Sequence, residues 1–165
     1  MTPFTADLLV LFRRDLGCLR REVEAFPDDA TLWRTLPGIS NSAGNLALHV
    51  AGNLRHFVGA VLGGTGYVRD RDREFSRREG ARVEVAALLD ATAREVEQAL
   101  ATLTEATLAQ PYPQAVMGHQ PPTGRFIMHL AAHLAFHLGQ AGYLRRALTG
   151  QPGATGGMAI ADLAD

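Results

Sequence analysis

His133 and His137 stand four residues apart in a stretch, Gly124–Leu148, whose apolar spacing predicts one long helix. Four residues of α-helix turn through about 400°, so both imidazoles project from one face. Two imidazoles stacked in this way are half of a transition-metal site. His129 extends the series to a ladder of three rungs. Each rung drifts by about 40° from the last, so one ion reaches only an adjacent pair, His129/His133 or His133/His137. The second pair is favoured by its C-terminal neighbours. Gly139 leaves room for an approaching backbone or ligand, and Gln140 lies three residues past His137, placed to hydrogen-bond its ring.

Two ligands hold a metal poorly, and the natural third is His49, on the apolar face of an earlier helix. Asn45, Asn53 and His56 share that face and are candidates to orient the ring. His49 lies about 10 Å along its helix, and the midpoint of the pair about 16 Å along the other, at about 1.5 Å per residue. Those depths let the three meet in either relative orientation. No Glu follows His133, so this is not the His-Glu-x-x-His arrangement of zinc proteases. No Cys-x-x-Cys exists, which excludes a structural thiolate zinc site. Three imidazoles leave a coordination position open for water or substrate, as a catalytic metal needs. Such ligands suit zinc, nickel, copper or iron alike. Most helix histidines are surface or hydrogen-bonded residues, and His56, His119 and His129 are read that way rather than as ligands.

Four helices must position this trio. The first runs from Pro3 to Ala25, with Thr2 as N-cap and Leu9, Phe12, Leu16, Leu19 and Val23 as its apolar stripe. The second runs from Ser42 to Leu62 and stops at Gly63-Gly64. The third runs from Arg82 to Leu103, and the fourth is the histidine-bearing Gly124–Leu148. Long connections, Gly63–Gly80 and Thr104–Thr123, come after the second and third helices, and no stretch alternates with period two. The expectation is an all-α four-helix bundle over residues 1–149, with a loosely held Gly/Ala-rich tail over 150–165.

The bulk numbers agree with one soluble domain. The chain has 165 residues, 47% apolar and 20% charged, with a net charge of −1. That balance offers no basic surface for nucleic acid. The single cysteine, Cys18, forms no intrachain disulfide, fits a reducing compartment and reads as an inert packing residue. The opening Met1–Asp7 lacks a basic leader, and the most apolar stretch, Leu46–Leu62, is too short and polar to span a membrane. A cytoplasmic protein is expected. Gly63–Gly66 is not a phosphate loop, because no Lys-Ser/Thr comes after it. Arg69–Glu79 mixes both signs and reads as a solvated connector, with Arg71, Arg73 and Arg77 its candidates for meeting a carboxylate-bearing substrate. Trp33 is expected to close one end of the core.

Three segments carry a resemblance: Asn45–Arg55, Arg71–Phe75 and His133-Leu-Ala-Phe-His-Leu-Gly-Gln140. In order and spacing the chain resembles the DinB/YfiT-like superfamily of bacterial metal-binding four-helix bundles over about positions 5 to 149. The resemblance implies an up-down-down-up bundle, often a homodimer, with a divalent metal, commonly zinc or nickel, on three histidines. Carried over by position, the ligands are His49, His133 and His137. Some relatives are thiol S-transferases or isomerases that use a low-molecular-weight thiol on an electrophilic small molecule. Leu138 is a departure, since many relatives carry Arg there.

Two functions are expected from these readings. One is a metal-dependent enzyme, a thiol S-transferase or related small-molecule transferase. The other is a non-enzymatic dimeric bundle of stress-related role that binds a metal or ligand. No nucleic-acid or membrane partner is expected from either, and the residues alone name no acid or base.

Overall fold

A computed structural model of the chain describes residues 1–156 and 159–163. Of the expected tail, Gly157, Met158, Ala164 and Asp165 lie outside the described residues. The elements are α1 (Pro3–Glu24), α2 (Asp29–Leu32), α3 (Ala43–Leu54), α4 (Arg71–Ser76), α5 (Arg82–Thr102), α6 (Glu105–Ala109) and α7 (Thr123–Thr149). A π-type turn, Arg55–Ala60, prolongs α3, and a short 3₁₀ turn spans Ala161–Leu163. The described residues form no β-strand, only two isolated bridges, Pro111 to Pro122 and Val116 to His119.

The four expected helices are present with ends within a few residues of those read from the sequence. Thr2 begins α1 with a reciprocal box: its hydroxyl accepts from Thr5 N at 3.2 Å while Thr2 N donates to Thr5 Oγ1 at 3.0 Å. Ser42 does the same for α3 with Asn45. The left-handed Gly150 (φ 68°) ends α7. Helix α1 packs on α5 and α7, and α3 packs on α7 and α5, so four long rods surround one core. Phe12, Leu16, Leu19, Leu54, Leu89, Leu100, Ile127 and Leu130 fill it. No described helix is long and apolar enough to cross a membrane.

The second helix departs from the simple expectation. It is regular only to Leu54 and then widens into a π-type turn. Two contacts hold that irregularity. Arg55 is paired with Glu95 of α5 at 2.8 Å, and a Cβ on Gly59 would sit 2.9 Å from the Glu95 carboxylate. Tyr112, fully buried, donates its hydroxyl to the Phe57 carbonyl at 2.6 Å. Such turns are frequent at functional sites, and this one aims His56 and Phe57 at a cavity beside α7.

The connectors are built rather than loose. Asp28, Asp70 and Thr104 cap the short helices α2, α4 and α6. Trp33 packs its ring face against Gly44 and donates Nε1–H to the Gly80 carbonyl at 2.8 Å. Past α7, Thr155 donates to Glu22 at 2.6 Å, Arg21 donates to the Thr155 carbonyl at 2.7 Å, and buried Arg145 bonds Glu22 and the Gly153 carbonyl. The expected solvated connector 69–79 is corrected most clearly. Helix α4 lies on α3, and Glu74 is only 5% exposed. The misreading has a simple cause: charge counting sees arginines and acids, whereas the fold turns one acid inward.

Asn45 is the clasp between α3 and α4. Its Nδ2 donates to the carbonyls of Glu74 and Arg77, both at 2.9 Å, while Oδ1 accepts from Ser42. Asn45→Ala leaves the Glu74 carbonyl and a helix start unpaired, the Arg77 carbonyl keeping its bond from Arg78, and is expected to cost about 1–3 kcal/mol. Urea unfolding measures the loss, and hydrogen exchange should show α4 opening ahead of the bundle.

Candidate metal centre

His49 comes from the middle of α3, His133 and His137 from successive turns of α7, and the packing of those two helices brings the three rings together. His49 Nε2 lies 3.2 Å from His133 Nε2, and His137 Nε2 lies 3.1 Å from His133 Nε2. One nitrogen from each residue falls within 4.8 Å of the other two. His49 is buried, and the other two are half-buried.

The outer nitrogens decide what the inner ones can do. His49 Nδ1 sits 3.0 Å from Glu74 Oε2. Arg69 Nη2 also lies 3.2 Å from this nitrogen; the shorter contact is to the carboxylate, and a proton on Nδ1 directed at it leaves the lone pair on Nε2. Arg69 holds the other side of that carboxylate with two bonds, Nε to Oε1 at 2.7 Å and Nη2 to Oε2 at 2.8 Å. His137 Nδ1 lies 2.7 Å from Gln140 Oε1; the side-chain oxygen accepts, so this Nε2 also carries a lone pair. Two lone pairs therefore converge on His133 Nε2, which has at most one hydrogen to give. With both outer nitrogens protonated, a cation among the three inner ones satisfies all of their lone pairs at once. Tetrahedral zinc with nitrogens at about 2.0–2.1 Å spaces neighbouring nitrogens about 3.3 Å apart, close to the spacing observed. The residues present fit a divalent metal, with His49, His133 and His137 as the set that would hold it.

Electrostatics favour the same state. Burial works to raise the Glu74 carboxyl, but its hydrogen bonds from Arg69 and His49 outweigh burial and hold it below the usual carboxylate range. Burial, reinforced by neighbouring His137 and His49, pushes His133 down to about 4. Burial lowers His137 too, against the opposing effect of Gln140. A metal ligand must be unprotonated, and burial biases both rings toward that state.

Glu74 requires an absent side chain opposite it. A Cβ on Gly52 would lie 2.1 Å from Glu74 Oε1, so only glycine lets the carboxylate reach His49.

Of the residues expected around the trio, Gln140 bonds a ring and the others do not. Asn45 spends its amide on Ser42 and on α4. Asn53 and His56 line the neighbouring cavity instead. The ring of His49 is therefore oriented by Glu74, not by an amide on its own helix. His129 stacks on Phe126 (centroids 6.0 Å apart, planes 13° apart) and stays outside the trio, and His119 is in the bridged turn Val116–His119. Gly139 faces open space, and Leu138 is a core residue. Glu74 and Arg69 are the residues that reading along the chain passes over. The available signal was Asp70, whose side chain caps Arg73 N at 3.0 Å and so marks a short helix in an apparent connector. The requirement that a ligating histidine give its other nitrogen to an acceptor is the second signal.

Among known protein families, a model of the DinB superfamily matches residues 11–141. Among solved structures, the chain is similar to a DinB-like protein from Bacillus cereus, with a TM-score of 0.66 at 18% identity over 85% of this chain and 89% of that one. At that identity the likeness speaks for the fold. No curated protein matches the chain.

The lowered His133 has a consequence for stability. As pH falls below about 6.5, the unfolded chain takes up a proton on His133 that the folded chain refuses down to about 4. Metal-free protein is therefore expected to lose stability steadily across that window. His133→Gln should flatten part of the slope, leaving the part due to His137 and His56, whose rings burial also lowers, and at the acid end the part due to Glu74, lost as pH falls through its own lowered value. Urea midpoints measured from pH 7 to pH 4 in the presence of a chelator test this; parallel wild-type and variant curves would refute it.

Proposed function

This chain belongs to the DinB superfamily, and from that premise we propose that it is a divalent-metal-dependent enzyme, a transferase that joins a low-molecular-weight thiol to an electrophilic small molecule. The observation that carries the reading is the convergence of three imidazole nitrogens, 3.1 and 3.2 Å apart, with the outer nitrogens of His49 and His137 tied down. Zinc or nickel is the ion this donor set suits.

A divalent ion bound there supplies a Lewis acid that lowers the pKa of a thiol or water it contacts. The chain's own residues do the rest. His49, His133 and His137 present three lone pairs and leave one side open. Glu74, backed by Arg69, holds the His49 tautomer and adds negative charge behind it, and Gln140 does the same for His137 without charge. In the overall reaction the thiol S–H bond breaks, a C–S bond forms as the bond from that carbon to its leaving group breaks, the leaving group departs with the electron pair, and the thiol proton passes to solvent. The residues lining the adjoining cavity include no Asp or Glu. A carboxylate to activate water is thus missing from the described lining, which supports a thiol as nucleophile over hydrolysis.

Protein purified without a metal-affinity column is expected to contain about one equivalent of divalent metal, measured by elemental mass spectrometry. His133→Ala should lose that metal along with the rise in Tm that added zinc gives the wild type, because an ion bound only by the folded state stabilises it by mass action. Less than about half an equivalent, with none taken up on titration, ends the metal reading. Stoichiometric metal without thiol transfer favours the non-enzymatic bundle.

The same proposal includes a homodimer. Met128, Ala132, Phe136, Gly139 and Tyr143 form an exposed stripe on the outer face of α7; Met128, Phe136 and Tyr143 are 53%, 62% and 74% exposed. Leu36, Ile39 and Leu46 border it in an adjoining apolar groove. A contiguous apolar face of this kind marks an association surface. Ala141 and Gly142, small residues of the same helix, are turned inward, and Gly142 faces Glu22. Light scattering should find a dimer, and Tyr143→Glu, away from the histidines, should shift it to monomer; a wild-type monomer at all concentrations would refute the pairing.

A further inference from the structure

A cavity of about 470 Å³ lies against the histidine trio, within the size range of small-molecule sites. His49 and His133 form one wall, Phe57, Phe126 and Leu130 contribute apolar surface, and the segments around Arg71 and Met117 close its rim. Three of its properties are unused by the metal centre.

The first is charge. The lining contains two arginines and four histidines and no acidic residue. Arg69 is spent on Glu74. Arg71 has no acidic partner among the described residues; its guanidinium lies over the Phe75 ring, 5.0 Å from the centroid. A cation held on an aromatic face at the rim of an acid-free cavity is placed to receive an anion, and the planar fork of arginine matches a carboxylate.

The second is a pair of orphaned polar atoms. Asn53 is 8% exposed and its Oδ1 has no hydrogen-bond partner; His56 leaves Nδ1 unpartnered as well. Both residues line the cavity. Buried polar atoms are nearly always paired, so an unpaired amide and imidazole on one cavity are places for a ligand's own polar group. The third is the backbone. Met117 adopts a positive φ of 51° beside Gly118 at 82°, which puts an exposed methionine at the tip of the bridged turn on the cavity rim. A soft apolar side chain held in this strained position suits the covering of a bound molecule's apolar part.

We propose that this cavity binds a small organic carboxylate with an apolar, ring-sized body and a hydrogen-bond donor. The carboxylate pairs with Arg71, the body lies against Phe57 and Phe126, and the donor meets the Asn53 amide. The proposal rests on the preceding reading in one respect: the carboxylate is the electrophile's handle, brought beside the three-histidine site.

The test uses full-length protein, zinc-loaded and chelator-treated in parallel, titrated calorimetrically with para-hydroxyphenylacetate and with its uncharged amide. Zinc content is measured on each sample, so the metal reading and the anion reading fail separately. The carboxylate is expected to bind about tenfold or more tightly than the amide. Arg71→Gln should remove that difference, Arg71→Lys should keep most of it, and neither should change affinity for the amide. Preference for the carboxylate that depends on Arg71 in the metal-free sample supports the pocket even if zinc binding fails. Equal binding of the two probes, no binding of either, or a preference unaffected by Arg71→Gln overturns the proposal, even in protein that carries its full zinc.

Discussion

The hydrogen bond between His49 and the buried carboxylate of Glu74 is the constraint to which the rest of the site answers. With the His49 proton on Nδ1 directed at the carboxylate, Nε2 is left to face α7. A charged carboxylate in a bundle interior is costly unless paired and hydrogen-bonded, so the interaction draws further structure around it. Arg69 neutralises it with a two-pronged pair, Gly52 withholds a side chain that would collide with it, and Asn45 holds the backbone of α4 so that it reaches inward. Four residues from three segments are thus committed to the orientation of one ring.

The two sides of the centre are built differently. On the α3 side a charged pair supports the ligand; on the α7 side Gln140, three residues from His137 on the same helix, supports its ring by a local bond. The local bond needs only helical geometry, whereas the charged one needs a connector folded back onto α3. Stability of α4 and integrity of the centre are therefore linked through a single clasp residue. The π-type turn after Leu54 serves the same region by a different route, opening the helix where His56 and Phe57 meet the cavity, with Tyr112 taking up the Phe57 carbonyl.

The candidate metal site and the cavity share one wall and differ in character. The trio concentrates lone pairs around a cation's position, while the cavity supplies cationic and apolar surface without an acid. The proposed transfer, from a nucleophile softened at the trio to an electrophile that carries its own negative charge, draws on both halves. The apolar outer face of α7 lies on the opposite side of the same helix from its core residues, so one rod carries core residues, two of the three histidines and an exposed apolar stripe at once.

The amino-acid sequence by itself determined the four rods, their caps and the trio, because each is written in short-range terms. Apolar residues recur at helical spacing, Thr2 and Ser42 begin helices with partners three residues on, and His133, His137 and Gln140 share a face within two turns. His49 was legible as a polar ring on an apolar face. Only the tertiary structure decided what stands behind that ring. Glu74 is 25 residues from His49 along the chain and lies in a charged run whose composition says solvent. Local periodicity carries no information about which of several acids turns inward, since that depends on where Asn45 and Gly52 hold α4 against α3. The widened turn at Arg55–Ala60 and the acid-free cavity have the same origin, for each arises from side chains brought together from separate helices rather than from the spacing of residues along any one of them.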